Sequence, residues 1–174
     1  MSGLLVLLLK KARKNLNNSI KPFIWVDADA CPLKEEIIAI AKKFELQLKF
    51  VASVSLKKLH NREGIETVLC EKGTDSADNY IENHAKSGDI AVTTDLLLAK
   101  KLLNKKLYVS GFLGTAFNLS NITEALGHRL AVRTHLESGN ITMPTEKCGN
   151  VFNAKGKSNF KNQFHNFLTH ALKS

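Results

Sequence analysis

Two aspartates one residue apart, Asp27 and Asp29, close the apolar run of "FIWVDADACPLKEE" (residues 23–36), and a proline follows almost at once. Carboxylates are costly to bury without a partner, so the pair calls for a cation, a phosphate-handling role or open water. If the chain stays extended, both point to the same side. Asp95 follows "DIAVTT" directly, and Asp75 and Asp78 stand three apart at the start of "DSADNYIENHAK", which places them on one face of a helix. Hard oxygen ligands from several carboxylates suit Mg²⁺ or Mn²⁺. One or two such ions activate water and stabilise a phosphodiester transition state, so the set points to phosphoryl transfer to water. A plainer account exists for some of them: Asp75 as an N-cap with Asp78 three residues on, and Asp95 as the cap of the next helix. The pair at 27 and 29 resists it most, because a cap needs one acid rather than two.

Strand-like and helix-like patterns alternate along the chain, the mark of βαβ units and a parallel sheet. Strands are expected at 23–27, 46–52, 65–70, 89–94 and 107–110, and helices at 32–45, 75–86 and 95–105. Pro32 is expected in the first turn of its helix, where a missing N–H is harmless. After residue 110 come a glycine-bearing loop, "GFLGTAF", a largely helical stretch from Asn118, and a turn region at 139–158. Phe160, Phe164, Phe167, Leu168 and Leu172 fall on one helical stripe near the end, as in a helix docked on the core. In such a sheet ligands sit at the carboxyl ends of the strands, where strand order reverses. The acids cluster at such ends.

With 174 residues and 44% apolar content, the chain suits one compact domain. Three cysteines, Cys31, Cys70 and Cys148, with no C-x-x-C pair, indicate neither a disulfide framework nor a zinc knuckle and fit a reducing cytoplasm. The longest apolar run of the opening segment is six residues, with its positive charge after it, unlike a signal peptide or membrane span. The net charge of +9 sits at the two ends: five Lys/Arg and no acid in residues 1–22, five Lys and one Glu in residues 145–174. Basic ends attract nucleic acid, though they also serve as plain solvated tails. Aromatics at 7% do not supply a stacking surface of the single-strand-binding kind.

The strings "WVDADACP", "GTDSADNYI", "GDIAVTTDLLLA" and "NITEAL" resemble, in order and spacing, the YaiI/YqxD family of bacterial proteins, related to PIN-domain nucleases, over roughly residues 23 to 172. Thr93, Asp95, Leu98 and Ala99 also look like the third-acid motif of PIN domains. The resemblance implies a basic N-terminal extension, residues 1–22, before a single PIN-like α/β domain, 23–174, that includes the C-terminal amphipathic helix. It implies a three-layer fold around a mostly parallel sheet of about five strands. Asp27 would be the first-strand acid, Asp78 or Asp75 the helix acid and Asp95 the late acid of a Mg²⁺- or Mn²⁺-dependent ribonuclease, with Asp29 beside them. Thr93 and its neighbour Thr94 would support the site. The chain departs from the family at "GFLG", which keeps Gly114 but puts Leu113 where an arginine is expected, and at "TMP" in place of a T-x-G-P turn.

Two other classes compete. A D-x-D after a first strand also opens haloacid-dehalogenase-like phosphohydrolases, with an Asp nucleophile and an Asp acid-base; Ser53 or Ser55 would serve such a site, but only Asp95 follows the fourth strand. A non-catalytic RNA-binding module would use the basic ends and tolerate loss of Asp27 and Asp95. Asn79 could orient a metal-bound water or be an exposed helix amide. Lys34, Lys57 and Arg62 are the candidates to meet phosphates near the strand ends. Cys31 lies beside the acids before a helix but has no evident base partner, and the six histidines show no metal-binding spacing.

Overall fold

The structure, a computed structural model, describes residues 21–29, 31–71, 73, 76–137 and 153–173, without the side chains of 129–137. The expectations for the opening segment, Asp75, the 139–152 turn region and Cys148 lie outside the described residues.

Five parallel strands form one sheet: β1 (Ile24–Asp27), β2 (Leu48–Ala52), β3 (Ile65–Leu69), β4 (Ile90–Val92) and β5 (Tyr108–Ser110), in the order β3-β2-β1-β4-β5. Five α-helices accompany them among the described residues: α1 (Lys34–Lys43), α2 (Ser76–His84), α3 (Leu96–Asn104), α4 (Leu119–Glu137) and α5 (Ala154–Ala171). β1, β2 and β4 are nearly continuous apolar runs because both of their faces are covered. One core joins Val26, Phe50 and Val92 to Ile37 and Ile40 of α1 and to Phe160, Phe164 and Leu168 of α5. The other joins Trp25, Val51 and Ala91 to Ile81 of α2, Leu98 and Leu102 of α3 and Ile122 of α4. This is the three-layer arrangement that the PIN resemblance implies. Strand order runs outward from β1 through β2 to β3, then reverses through β4 to β5. Right-handed crossovers then put helices of the two directions on opposite faces, as α1 and α3 are.

The predicted elements are present, most with shorter ends; α5 is the exception, because the Asn153 side chain accepts the Gly156 N–H and starts the helix at Ala154, so 154–158 is helix and not part of the expected turn region. α1 begins at Lys34 with Leu33 as its N-cap, so Pro32 precedes the helix instead of entering its first turn. The polar connection 56–63 contains a 3₁₀ turn, Lys57–Leu59, because Leu59 is drawn into the core. Gly114 has a φ of +79°, and a Cβ there would lie 2.8 Å from the backbone nitrogen of Phe164. That close approach of the β5–α4 loop to α5 is what requires glycine. Among the described residues no helix is long and apolar enough to cross a membrane.

Candidate functional site

The reversal of strand order falls between β1 and β4, the place where open parallel sheets carry their sites. Register aligns Val26 with Val92, so Asp27 and Thr93 emerge side by side from the same edge. Thr93 is buried and uses its hydroxyl in both senses. It donates to Oδ2 of Asp27 at 3.0 Å and accepts the backbone N–H of Asp95 at 3.0 Å. One threonine thus fixes the half-buried Asp27 and the backbone of Asp95 together.

Asp95 is the N-cap of α3, its Oδ1 accepting from the N–H groups of Leu97 at 2.7 Å and Leu98 at 2.8 Å. The cap reading of Asp95 is therefore correct, and capping also locks the carboxylate at the strand end. Its Oδ2 accepts no hydrogen bond among the described residues. The chain bends after β1 instead of staying extended, so Asp29 turns toward β2. There its two oxygens take the Ser53 N–H at 2.9 and 3.0 Å, and Oδ2 also takes the Ser53 hydroxyl at 2.8 Å.

Burial pushes the Asp27 carboxyl above its usual range. The Thr93 hydrogen bond opposes this, the charge of Asp29 adds to it, the Asp29 N–H opposes it, and the charge of Asp95 adds further. Asp27 therefore feels the charges of both neighbouring carboxylates. Asp78 is half-buried in the first turn of α2, which packs on β1, β2 and α3, with exposed Asn79 beside it. Thr94 is exposed between Thr93 and Asp95. Among the described residues no three His, Cys, Asp or Glu side chains gather into a group that could hold a metal ion. The donor set is nonetheless all oxygen, and Asp27 and Asp95 repel each other across Thr93; a hard divalent cation fits that chemistry in kind.

The three candidate cations are placed differently. Lys34, in the first turn of α1, donates to the Cys31 carbonyl at 2.5 Å. Lys57 is exposed on the 3₁₀ turn. Arg62 is engaged by Glu35, through Nη1 at 2.8 and 3.0 Å, on the connection that leads back to the start of β3. Leu113 is exposed on the β5–α4 loop. Cys31 is buried and its thiol is pushed up to about 11, so it stays protonated and is no nucleophile at neutral pH.

Two partnerships escaped the sequence reading. Ser53 as the anchor of Asp29 depends on the β1–β2 register, and Ser53 had stood out only as a serine at the end of a strand. Asp89, at the opposite edge, is buried and accepts from the N–H of Phe23 at 3.0 Å, the Trp25 indole at 2.9 Å and the N–H of Lys86 at 3.0 Å. A lone acid directly before a buried strand was its only signal.

A family model described as "Uncharacterized BCR, YaiI/YqxD family" matches residues 25–170. A UPF0178 protein of Bacillus velezensis is 39% identical over 117 residues, covering 67% of this chain and 70% of its own. One from Listeria monocytogenes is 35% identical over 147 residues, covering 84% and 95%. One from Rhodospirillum centenum is 34% identical over 137 residues, covering 79% and 88%. No solved structure matches the chain. The strand-end acids, the PIN-like layering and these relatives agree: the chain belongs to the YaiI/YqxD family.

Proposed function

We propose that the protein is a metal-dependent nuclease that hydrolyses RNA phosphodiester bonds at the carboxyl edge of its sheet. The observation that carries this reading is the Thr93 hydroxyl, which ties Asp27 of β1 to the backbone of Asp95, the cap of α3, at the point where strand order reverses. A purely structural cap would need neither the half-buried Asp27 nor Asp29 close enough to raise its carboxyl.

Asp27 and Asp95 would hold a Mg²⁺ or Mn²⁺ ion, with Asp29 and Asp78 as further donors. Bound there, the ion would lower the pKa of a water and offset charge on the phosphodiester. The chain's own contribution is positioning. The two N–H groups at the start of α3 fix one oxygen of Asp95 and leave the other for the site. Thr93 holds one oxygen of Asp27 from the buried side, and Ser53 keeps Asp29 at the rim.

Incubation of single-stranded RNA with the protein and Mn²⁺ should give hydrolysis products, and Asp27→Asn should reduce the rate by orders of magnitude. RNA left intact in both Mg²⁺ and Mn²⁺, or cleavage by Asp27→Asn at the parent rate, would contradict the proposal. Turnover of a phosphomonoester with RNA untouched would instead favour the phosphohydrolase reading.

A further inference from the structure

Beside the acids lies a cleft of about 610 Å³ between α1, the 3₁₀ turn and α5. Four lysines line it, Lys34, Lys57, Lys58 and Lys157, against two glutamates. Both glutamates are already engaged: Glu36, buried on α1, by Lys157 at 3.1 Å, and Glu35 by Arg62 at 2.8 Å. Among the described residues Lys34, Lys57 and Lys58 have no acidic partner. The cleft therefore presents positive charge that the fold does not neutralise, which is the condition for attracting a polyanion.

Two chain segments of the cleft wall lead directly to the acidic edge. Pro32 on its wall is three residues from Asp29, a span of no more than about 11 Å. The connection leaving β2 runs from Ser53, which holds Asp29, through Val54 to Ser55 and Leu56 on the wall and then to Lys57 and Lys58. Val54 is 64% exposed between the two. Exposed Leu69, Leu97 and Leu113 belong to the same carboxyl edge, at the end of β3, in the first turn of α3 and after β5. Apolar side chains around a charged site suit a ligand with both charge and apolar faces. An unpaired nucleic-acid strand offers both, whereas a duplex hides its base faces.

We infer that this cleft binds the phosphates of a single RNA strand on one side of the bond to be cut, with Lys57 and Lys58 as its principal contacts and Lys34 and Lys157 beside them. The inference rests on the nuclease reading for what is cut, but not for what is bound, so binding is measured apart from cleavage. A fluorescent single-stranded RNA oligomer is titrated with the full chain in EDTA at several salt concentrations. The variant Lys57→Glu/Lys58→Glu is compared with Lys42→Glu/Lys43→Glu, which makes the same change of charge on exposed residues in the last turn of α1. Those lysines are about 12 Å along the helix from Lys34.

The cleft variant should bind about tenfold more weakly than the control. Its log K against log salt slope should shrink by about 1.4, two phosphate contacts at roughly 0.7 each. Duplex RNA should compete poorly. In the Mn²⁺ assay KM should rise with kcat unchanged. Equal affinities and slopes for the two variants would overturn the cleft while leaving a cleaving parent enzyme standing. Selective loss of binding in the cleft variant, with a parent that cleaves nothing, would uphold the cleft and overturn the nuclease.

Discussion

Asp89 precedes β4 and Asp27 closes β1, so two carboxylates sit at opposite edges of one pair of neighbouring strands. At the amino edge Asp89 is 7% exposed and receives three donors, two backbone N–H groups and the Trp25 indole. No carboxylate is among the partners of its oxygens. At the carboxyl edge Asp27 receives the Thr93 hydroxyl and the Asp29 N–H, but it also faces the charges of Asp29 and Asp95. Acids placed where donors converge hold the sheet together, and acids placed where other acids converge store repulsion that a cation would relieve. Residue type does not separate the two cases; the surroundings do.

That contrast is testable by substitution. Asp89→Ala strips the acceptor from the buried Trp25 indole and from two part-buried backbone N–H groups and should destabilise the fold by about 2 kcal/mol, read from urea unfolding. A loss under about 1 kcal/mol would mean that water satisfies those donors and that the amino edge is not the structural one. Asp95 combines both roles, so two substitutions separate them. Asp95→Ala should cost about 1 kcal/mol through the lost cap, whereas Asp95→Asn should leave stability nearly level. Both should lose RNA cleavage. Retention of cleavage by Asp95→Asn would reduce Asp95 to a cap.

The smallest effect is a pH dependence. The native Asp27 carboxyl titrates above the ordinary value of 3.8, chiefly because it is half-buried. Above both values its ionised form costs stability in full. As pH falls through the raised native value the folded protein takes up the proton before the unfolded chain does, so that cost is relieved, and nothing further is gained below the ordinary value. The parent should therefore gain stability relative to Asp27→Asn across that window when pH is lowered without metal. A difference between the two that is flat in pH would place Asp27 in water.

Much of this was legible in the chain because it is local. The period-2 and continuous apolar runs marked the strands, the stripe of Phe160, Phe164 and Phe167 marked α5, and the position of Asp95 after "DIAVTT" announced both a cap and a strand-end acid. The hidden parts depend on register. Asp29 meets Ser53 24 residues away only because β1 pairs with β2. Asp89 meets Trp25 and Phe23 only because β1 pairs with β4. The extended course assumed for Asp-Ala-Asp failed for the same reason, since the Ser53 N–H and hydroxyl draw Asp29 aside. Leu59 was concealed in a polar connection, where one leucine carries no periodicity.

If the acids of the carboxyl edge form a cation site, a thermal scan with and without Mn²⁺ reads the ion's binding directly. A ligand that binds only the folded state raises the melting temperature. In protein freed of bound ions, millimolar Mn²⁺ should raise the melting temperature of the parent and leave Asp27→Asn nearly unmoved. Without metal, Asp27→Asn should melt at or above the parent, because one of the repelling charges is gone. A parent whose melting temperature ignores Mn²⁺, or an Asp27→Asn variant destabilised without metal by more than about 2 kcal/mol, would contradict the claim and make Asp27 a structural acid like Asp89.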